Sequence, residues 1–276
     1  MTLDQVVAVA LAEDLGDRGD VTAQATVPES ATLRAQFTAR RSGTAAGVAA
    51  IAATYAQIDA AVAVDTKVTD GQLVSPGDVL AVVHGPARAV LAGERTALNL
   101  VSHLSGIATM TARYVEALHG SGCVVRDTRK TLPGLRALQK AAVVAGGGTN
   151  HRAGLHDALL VKDNHVAAAG SVASATTAAL ANHGGLPVQV EVDDIEQLRA
   201  ALQAGARCVL LDNFALAALP AAVAVCRAVG EPVFVEVSGG VTLDTAAAIA
   251  ATGVDAIAVG ALTHSVAALD IGLDVV

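Results

Sequence analysis

From Cys123 onward the chain alternates short apolar runs with helical patterns, and few folds accept that rhythm. The runs are Cys123–Arg126, Leu159–Lys162, Val188–Val192, Cys208–Asp212, Val233–Val237 and Ala256–Gly260, with helix-period stretches near 134–145, 167–183, 194–204, 215–229 and 242–252. Strands joined by helices specify a parallel sheet with right-handed crossovers, open or closed. The polar residues select between the two. Nearly every run ends, at its C-terminal edge, in a group capable of chemistry: Arg126-Asp127, Lys162, Glu191 with Asp193, Asp212, Glu236 with Ser238, then Gly260. Barrels build active sites from those edges. Six strands rather than eight leave an incomplete (β/α) barrel of the TIM type, or a full one whose first strand is not evident.

The N-terminal part reads differently. Residues 1–15 carry an amphipathic helix stripe (Leu3, Val6, Val7, Ala10, Leu11), and GDRGDVTAQATVP follows as a loop. Thr32–Arg40 alternates apolar with polar, as a half-buried strand does, and Gly47–Ile58 is an alanine-rich helix. Strands are expected at Val62–Val68 and, after a Pro-Gly-Asp turn, at Val79–Val83. Arg88–Leu104 and Ile107–His119 read as two helices divided at Ser105-Gly106. The expected organisation is an open α/β sandwich over residues 1–105, with the C-terminal tail packing back on it, and a barrel over 106–276.

Charge locates the chemistry. The chain has a net charge of −8, yet residues 126–165 hold seven of its 18 cations (Arg126, Arg129, Lys130, Arg136, Lys140, Arg152, Lys162) against three acids. An acidic protein that concentrates its cations in one segment points to a strongly anionic small ligand there. The near-absence of aromatics (no Trp, two Tyr, three Phe) and the acidic surface argue against nucleic acid. No apolar run reaches the ~18 residues that span a bilayer, although the mean hydropathy is +0.52. The acidic N-terminus does not resemble a secretory signal. Cys123, Cys208 and Cys226 form no CxxC pair, so reduced thiols and a cytoplasmic location are expected.

At the last two strands, VEVSGGV and DAIAVGAL place small residues where a strand gives way to a helix, an arrangement that lets backbone amides approach a phosphate. Glu191 and Asp212 end adjacent strands. Carboxylates there can hold Mg²⁺, accept from sugar hydroxyls or stabilise a developing cation. Lys162 can serve as a Schiff-base nucleophile or as a fixed positive charge. Arg129, Arg152 and Lys130 suit carboxylates and pyrophosphate, since a guanidinium offers a bidentate fork. His151 and His165 can order the loops, with a structural role favoured for His165. Arg95, in GERTALN, reads by itself as an ordinary surface or ion-pair arginine. The GGGTN loop at Gly146–Asn150 has no P-loop lysine after it, and is the candidate for a segment that closes over the site.

DTRKTLPGLRALQKAAVVAGGGTNHRAGLHD, LLVKDNH, VEVDDIEQL, VLLDNF and VEVSGGVTLDTAAAIAATGVDAIAVGALTHS, with EDLGDRGDVT and GERTALN upstream, resemble the quinolinate phosphoribosyltransferases. The resemblance spans nearly the whole chain. It implies the sandwich-plus-incomplete-barrel fold and a Mg²⁺-assisted reaction of quinolinate with phosphoribosyl pyrophosphate in NAD synthesis. The products are nicotinate mononucleotide, pyrophosphate and CO₂. It also implies a homodimer or higher homo-oligomer, with Arg95 reaching a neighbouring subunit's site. Carried across, Arg129, Arg152 and Lys162 grip the quinolinate carboxylates with His151 beside them, Thr128 is a further substrate-binding residue, and Lys130 faces the pyrophosphate. Glu191 and Asp212 hold ribose hydroxyls or Mg²⁺, the metal coming bound to the diphosphate. Ser238, Gly239, Gly240, Gly260 and Ala261, with His264 near, cradle the 5-phosphate. Lys130, Lys162, Glu191 and Asp212 are the catalytic candidates.

Four other readings stay open at this point: a Schiff-base lyase built on Lys162, a non-catalytic or altered-substrate relative, a regulatory protein that binds phosphorylated sugars, and a nicotinate-specific phosphoribosyltransferase, whose one-carboxylate substrate would leave part of the cation cluster unpaired. The intact KDNH and TRK segments speak against the second.

Overall fold

A computed structural model describes residues 1–276. Up to residue 117 the elements are α1 (Leu3–Leu15), α2 (Val21–Thr26), β1 (Thr32–Ala39), β2 (Gly43–Thr44), α3 (Ala49–Ile58), β3 (Ala63–Thr66), β4 (Leu73–Val74), β5 (Val79–Pro86) and α4 (Ala87–Ala117). Then come β6 (Val124–Arg126), α5 (Arg136–Ala145), β7 (Leu159–Val161), α6 (Asp163–Ala169), α7 (Val172–Ala181), β8 (Val188–Val192) and α8 (Ile195–Gln203). The chain closes with β9 (Cys208–Asp212), α9 (Leu219–Arg227), β10 (Phe234–Ser238), α10 (Leu243–Ala250), β11 (Ala256–Ala258), α11 (Ala261–His264) and β12 (Ile271–Val275). Two compact units result, one of Met1–Ala112, Lys130–Gly147 and Ala261–Val276, the other of Arg113–Arg129 and Gly148–Gly260. No helix is long and apolar enough to cross a membrane.

The first unit is built on an antiparallel sheet in the order β12-β1-β5-β3. The alternation seen in β1 places Ala35, Phe37 and Ala39 in a core with Ile51, Tyr55, Leu80 and Val101. Strand β12, which periodicity did not reveal, pairs antiparallel with β1 from Ile271↔Ala39 to Val275↔Ala35. Helix α1 opens with a capping box between Thr2 and Gln5, and buries Val6, Val7 and Leu11 against Ala50 and Leu100.

Two expectations for this unit need correction. Residues 21–26 are a helix, not a loop, because Asp20 caps the Ala23 amide at 2.9 Å. Nor is there a break at Ser105-Gly106, since α4 runs unbroken for 31 residues. Gly106 is small for another reason: a β-carbon there would collide with the Ala267 carbonyl and the Ala268 backbone. It is an approach point.

The second unit is a six-stranded parallel sheet in the order β6-β11-β10-β9-β8-β7. Every neighbour in sequence from β7 to β11 is a neighbour in space, and β11 returns to β6. The seam between β6 and β7 stays open, so the incomplete barrel is the correct alternative. At that seam Thr149 makes a single parallel bridge to Arg126, and its N–H donates to the Val125 carbonyl at 2.9 Å. The helical stretch expected over 167–183 is two helices, α6 and α7, separated where Gly170 turns left-handed (φ 86°) and Ser171 caps the next helix.

Candidate active site

Side chains alternate faces along a strand. In the parallel sheet one parity is apolar (Val125, Val161, Val190, Val209, Leu211, Val235, Val237, all buried) and the other carries Arg126, Lys162, Gln189, Glu191, Asp212, Glu236 and Ser238. The hydrogen bonds among the second set place it on one shared face, and its members from the strand ends converge.

Lys162 Nζ donates to Glu191 Oε2, joining β7 to β8. Burial raises the Glu191 carboxyl above the ordinary carboxylate range; Lys162 opposes this, and the charges of Asp212 and Asp163 add to it. Asp212 therefore lies within electrostatic reach of Glu191. No cluster of three His, Cys, Asp or Glu side chains stands ready to hold a metal ion. The carboxylate pair fits a hard divalent cation that takes its remaining oxygens from a bound diphosphate and from water.

The arginines are poised differently. Arg152 donates through Nη1 to the Ala158 carbonyl at 3.2 Å, while the Nε atoms of both Arg129 and Arg152 are buried without a partner. Burial lowers the Arg152 guanidinium from its ordinary value, and the neighbouring Arg129 charge lowers it further. Two half-buried cations whose Nε–H groups are buried and unmet are costly to hold together unless an anion completes them.

Behind them runs a buried polar chain. Arg126 Nη1 pairs with Glu236 Oε2 at 2.8 Å, and Gln189 Nε2 donates to the same oxygen at 2.7 Å. Gln189 Oε1 lies 2.9 Å from His151 Nε2, and His151 Nδ1 accepts from the Arg152 amide at 2.8 Å. The imidazole must therefore carry its proton on Nε2 and donate to Gln189. Asp127, fully buried, accepts from the His151 amide at 2.8 Å. Both ring nitrogens of His151 are thus engaged by protein, which makes it a brace for Arg152. Glu236 is raised by burial, against the lowering effect of Arg126 and Gln189. His165 plays the structural part expected of it, accepting from the Lys162 amide at 3.0 Å.

Ser238 pairs with Asp212 in the register of β9 and β10. Gly239 and Gly240 follow with φ of 85° and 63°, turning the chain into α10, and Gly260 follows β11. Thr128 and Arg129 are half-buried just after β6. The remaining expected residues, Arg95, Lys130, Ala261 and His264, belong to the first unit. There Arg95 is exposed on α4 and lines a cleft of about 450 Å³ with Asn99, Ser102 and Asp270. The Lys130 carbonyl accepts from Thr263 Oγ1 at 2.8 Å, Ala261 begins α11, and His264 Nδ1 meets Ser265 Oγ at 2.6 Å. Sequence reasoning noted Glu236 at its strand end without giving it a role, and passed over Gln189 and Asn213. Gln189 could have been found by stepping two residues back from Glu191.

Comparison with known proteins adds a family. Residues 20–105 match the N-terminal domain of quinolinate phosphoribosyl transferase and residues 107–274 match its C-terminal domain. The chain is 49% identical over 270 residues to the nicotinate-nucleotide pyrophosphorylase (carboxylating) of Mycobacterium leprae, covering 96% of this chain and 94% of that one. It is 43% identical over 265 residues to a probable enzyme of the same name from Bacillus subtilis, covering 95% and 90%. Among solved structures, the nicotinate-nucleotide pyrophosphorylase of Ehrlichia chaffeensis superposes with a TM-score of 0.95 at 32% identity, covering 100% of this chain and 99% of that one. That of Francisella tularensis gives 0.93 at 38%, covering 99% and 96%.

Proposed function

The chain belongs to the quinolinate phosphoribosyltransferase family, and from that premise we propose how its residues divide the work. The reaction joins quinolinate to phosphoribosyl pyrophosphate and releases pyrophosphate and CO₂, giving nicotinate mononucleotide for NAD synthesis.

The observation that carries the residue assignment is the pair of buried, unpartnered Nε groups on Arg129 and Arg152. Quinolinate brings two carboxylates to a site with two unpartnered guanidinium N–H groups. Arg129 and Arg152 grip them, with Thr128 alongside and His151 holding Arg152 in place. Lys162, paired with Glu191, acts as a fixed cation rather than a nucleophile. Lys130 faces the pyrophosphate. Ser238, Gly239, Gly240 and Gly260, with Ala261 and His264, hold the 5-phosphate through amides and a nearby imidazole.

As the bond from the anomeric carbon to pyrophosphate breaks, positive charge builds on the ribose. Glu191 and Asp212 stabilise it and fix the ribose hydroxyls. The quinolinate nitrogen then bonds to that carbon, and the ring nitrogen becomes cationic. The adjacent carboxylate leaves as CO₂, its electron pair falling toward the cationic ring, and a proton replaces it. The protein mainly positions and neutralises. Glu191 and Asp212 would hold a Mg²⁺ brought in on the diphosphate, and such an ion would supply positive charge for the leaving group. We place the protein in the cytoplasm as a homodimer or higher homo-oligomer. Its three cysteines are free, and burial pushes their thiols up to about 11 (Cys123, Cys226) and about 12 (Cys208), a packed rather than reactive state.

The test is one assay of the purified protein with quinolinate, phosphoribosyl pyrophosphate and Mg²⁺, following nicotinate mononucleotide, with nicotinate replacing quinolinate as control. Product from quinolinate alone is expected. Equal turnover of nicotinate, or trapping of Lys162 by borohydride in the presence of substrate, would defeat the assignment.

A further inference from the structure

Asn213 is the single non-glycine residue of the chain at positive φ, 56°, directly after the carboxylate that ends β9. The left-handed region is costly for a residue with a β-carbon, and asparagine tolerates it best because its short amide bonds locally. Here the amide is used. Asn213 Nδ2 donates to Asp212 Oδ2 at 2.7 Å, and the Asn213 N–H donates to the Ser238 carbonyl at 2.9 Å. From the other side Gly239 packs so closely that a β-carbon on it would strike Oδ1, Cγ and N of Asn213. One residue therefore touches the carboxylate of β9 and the first two residues of the turn after β10.

We propose that Asn213 is a positioning residue that fixes the Asp212 carboxylate relative to the Ser238–Gly240 turn. The ribose end and the 5-phosphate end of one phosphoribosyl pyrophosphate are then read at a set separation. This rests on the reading that those two elements bind that substrate. The donor polarity of the amide matters as much as its size, because a second carboxylate at 213 would face Asp212 with like charge.

Three variants separate the contributions. Asn213→Gly keeps the left-handed backbone and removes the clamp. Asn213→Asp keeps the shape and reverses the polarity. Asn213→Ala loses both the clamp and the tolerance of positive φ. Titration calorimetry with phosphoribosyl pyrophosphate, with and without Mg²⁺, is read beside the KM of each substrate and the melting temperature. We expect affinity for phosphoribosyl pyrophosphate to fall about 10-fold in Asn213→Gly, the loss of one charge-assisted hydrogen bond. A larger loss is expected in Asn213→Asp, with the quinolinate KM within about twofold of wild type and the Asn213→Gly melting temperature unchanged. Wild-type affinity in both Asn213→Gly and Asn213→Asp overturns the inference, as does a parallel rise in both KM values. Wild-type protein that binds no phosphoribosyl pyrophosphate, or Asp212→Asn that binds it normally, removes the site reading itself.

Discussion

Gln189 Nε2 donates to Glu236 Oε2 at 2.7 Å inside the parallel sheet, and the other end of the same amide meets His151. A glutamine is the side chain that can do both, donating to a carboxylate while accepting from an imidazole. Replacing it with methionine keeps the volume and orphans both neighbours. Stability should fall by about 1–3 kcal/mol, the cost of buried groups left unsatisfied. The KM for quinolinate should rise, because His151 Nδ1 holds the Arg152 amide. Urea unfolding and steady-state kinetics on Gln189→Met read the two effects; an unchanged midpoint with an unchanged KM would show that the chain is ornamental.

Glu236 gives this network a pH signature. It is fully buried, and burial raises its carboxyl above the ordinary 4.5 although Arg126 and Gln189 pull it down. The folded state then keeps a proton that the unfolded chain has released. Above pH 4.5, up to the folded value, this group's contribution to stability declines as pH rises. Glu236→Gln cannot titrate. The stability difference between wild type and Glu236→Gln, measured by urea unfolding at a series of pH values, should therefore shrink or reverse as pH increases through that window. A difference that grows with pH has the opposite sign and refutes the raised carboxyl.

How much of this was legible beforehand depends on what each residue answers to. Lys162, Glu191 and Asp212 stood out because each is a charge at the end of a strand that is otherwise apolar, and only a strand end can solvate or use it. Gln189 and Glu236 work as a pair across 47 residues of sequence, and local pattern is blind to a partner that the fold supplies. Strand β12 alternates Ile271, Leu273 and Val275 with Gly272 and Asp274, but five residues beside a loop are too short a run to stand out, and it is the pairing with β1 that supplies the register. Asn213 gave no signal: Asp-Asn-Phe after a strand reads as any turn until the backbone dihedral is known.

Gly106 misled for a related reason. A glycine after a serine reads as a helix break, yet the residue sits inside α4 with the Ala267 carbonyl against it. The Ser102 carbonyl accepts the Leu269 amide at 2.9 Å, pinning that segment to the helix one turn earlier. Alanine at 106 would gain about 1 kcal/mol of helix propensity. Its β-carbon would meet backbone, which cannot rotate away, and overpacking of that kind costs about 1–3 kcal/mol. Overpacking should win. Gly106→Ala is expected to lower the urea midpoint, whereas a stabilised variant would mean that the close approach relaxes freely.

Arg95 offers the sharpest test of assembly. Its side chain is exposed on α4, beside a cleft of about 450 Å³ lined by Asn99, Ser102 and Asp270, and the family resemblance assigns it to a neighbouring subunit's substrate. Arg95→Ala and Arg152→Ala should each lose most activity alone. In a two-fold dimer formed after subunit exchange, a mixed pair carries both defects in one site and none in the other if Arg95 acts across the interface. Random mixing then restores about one quarter of wild-type sites. If Arg95 serves its own chain, each site of the mixed dimer keeps one defect and nothing returns. The mixed sample, assayed beside the two parents at equal total protein, decides between the arrangements.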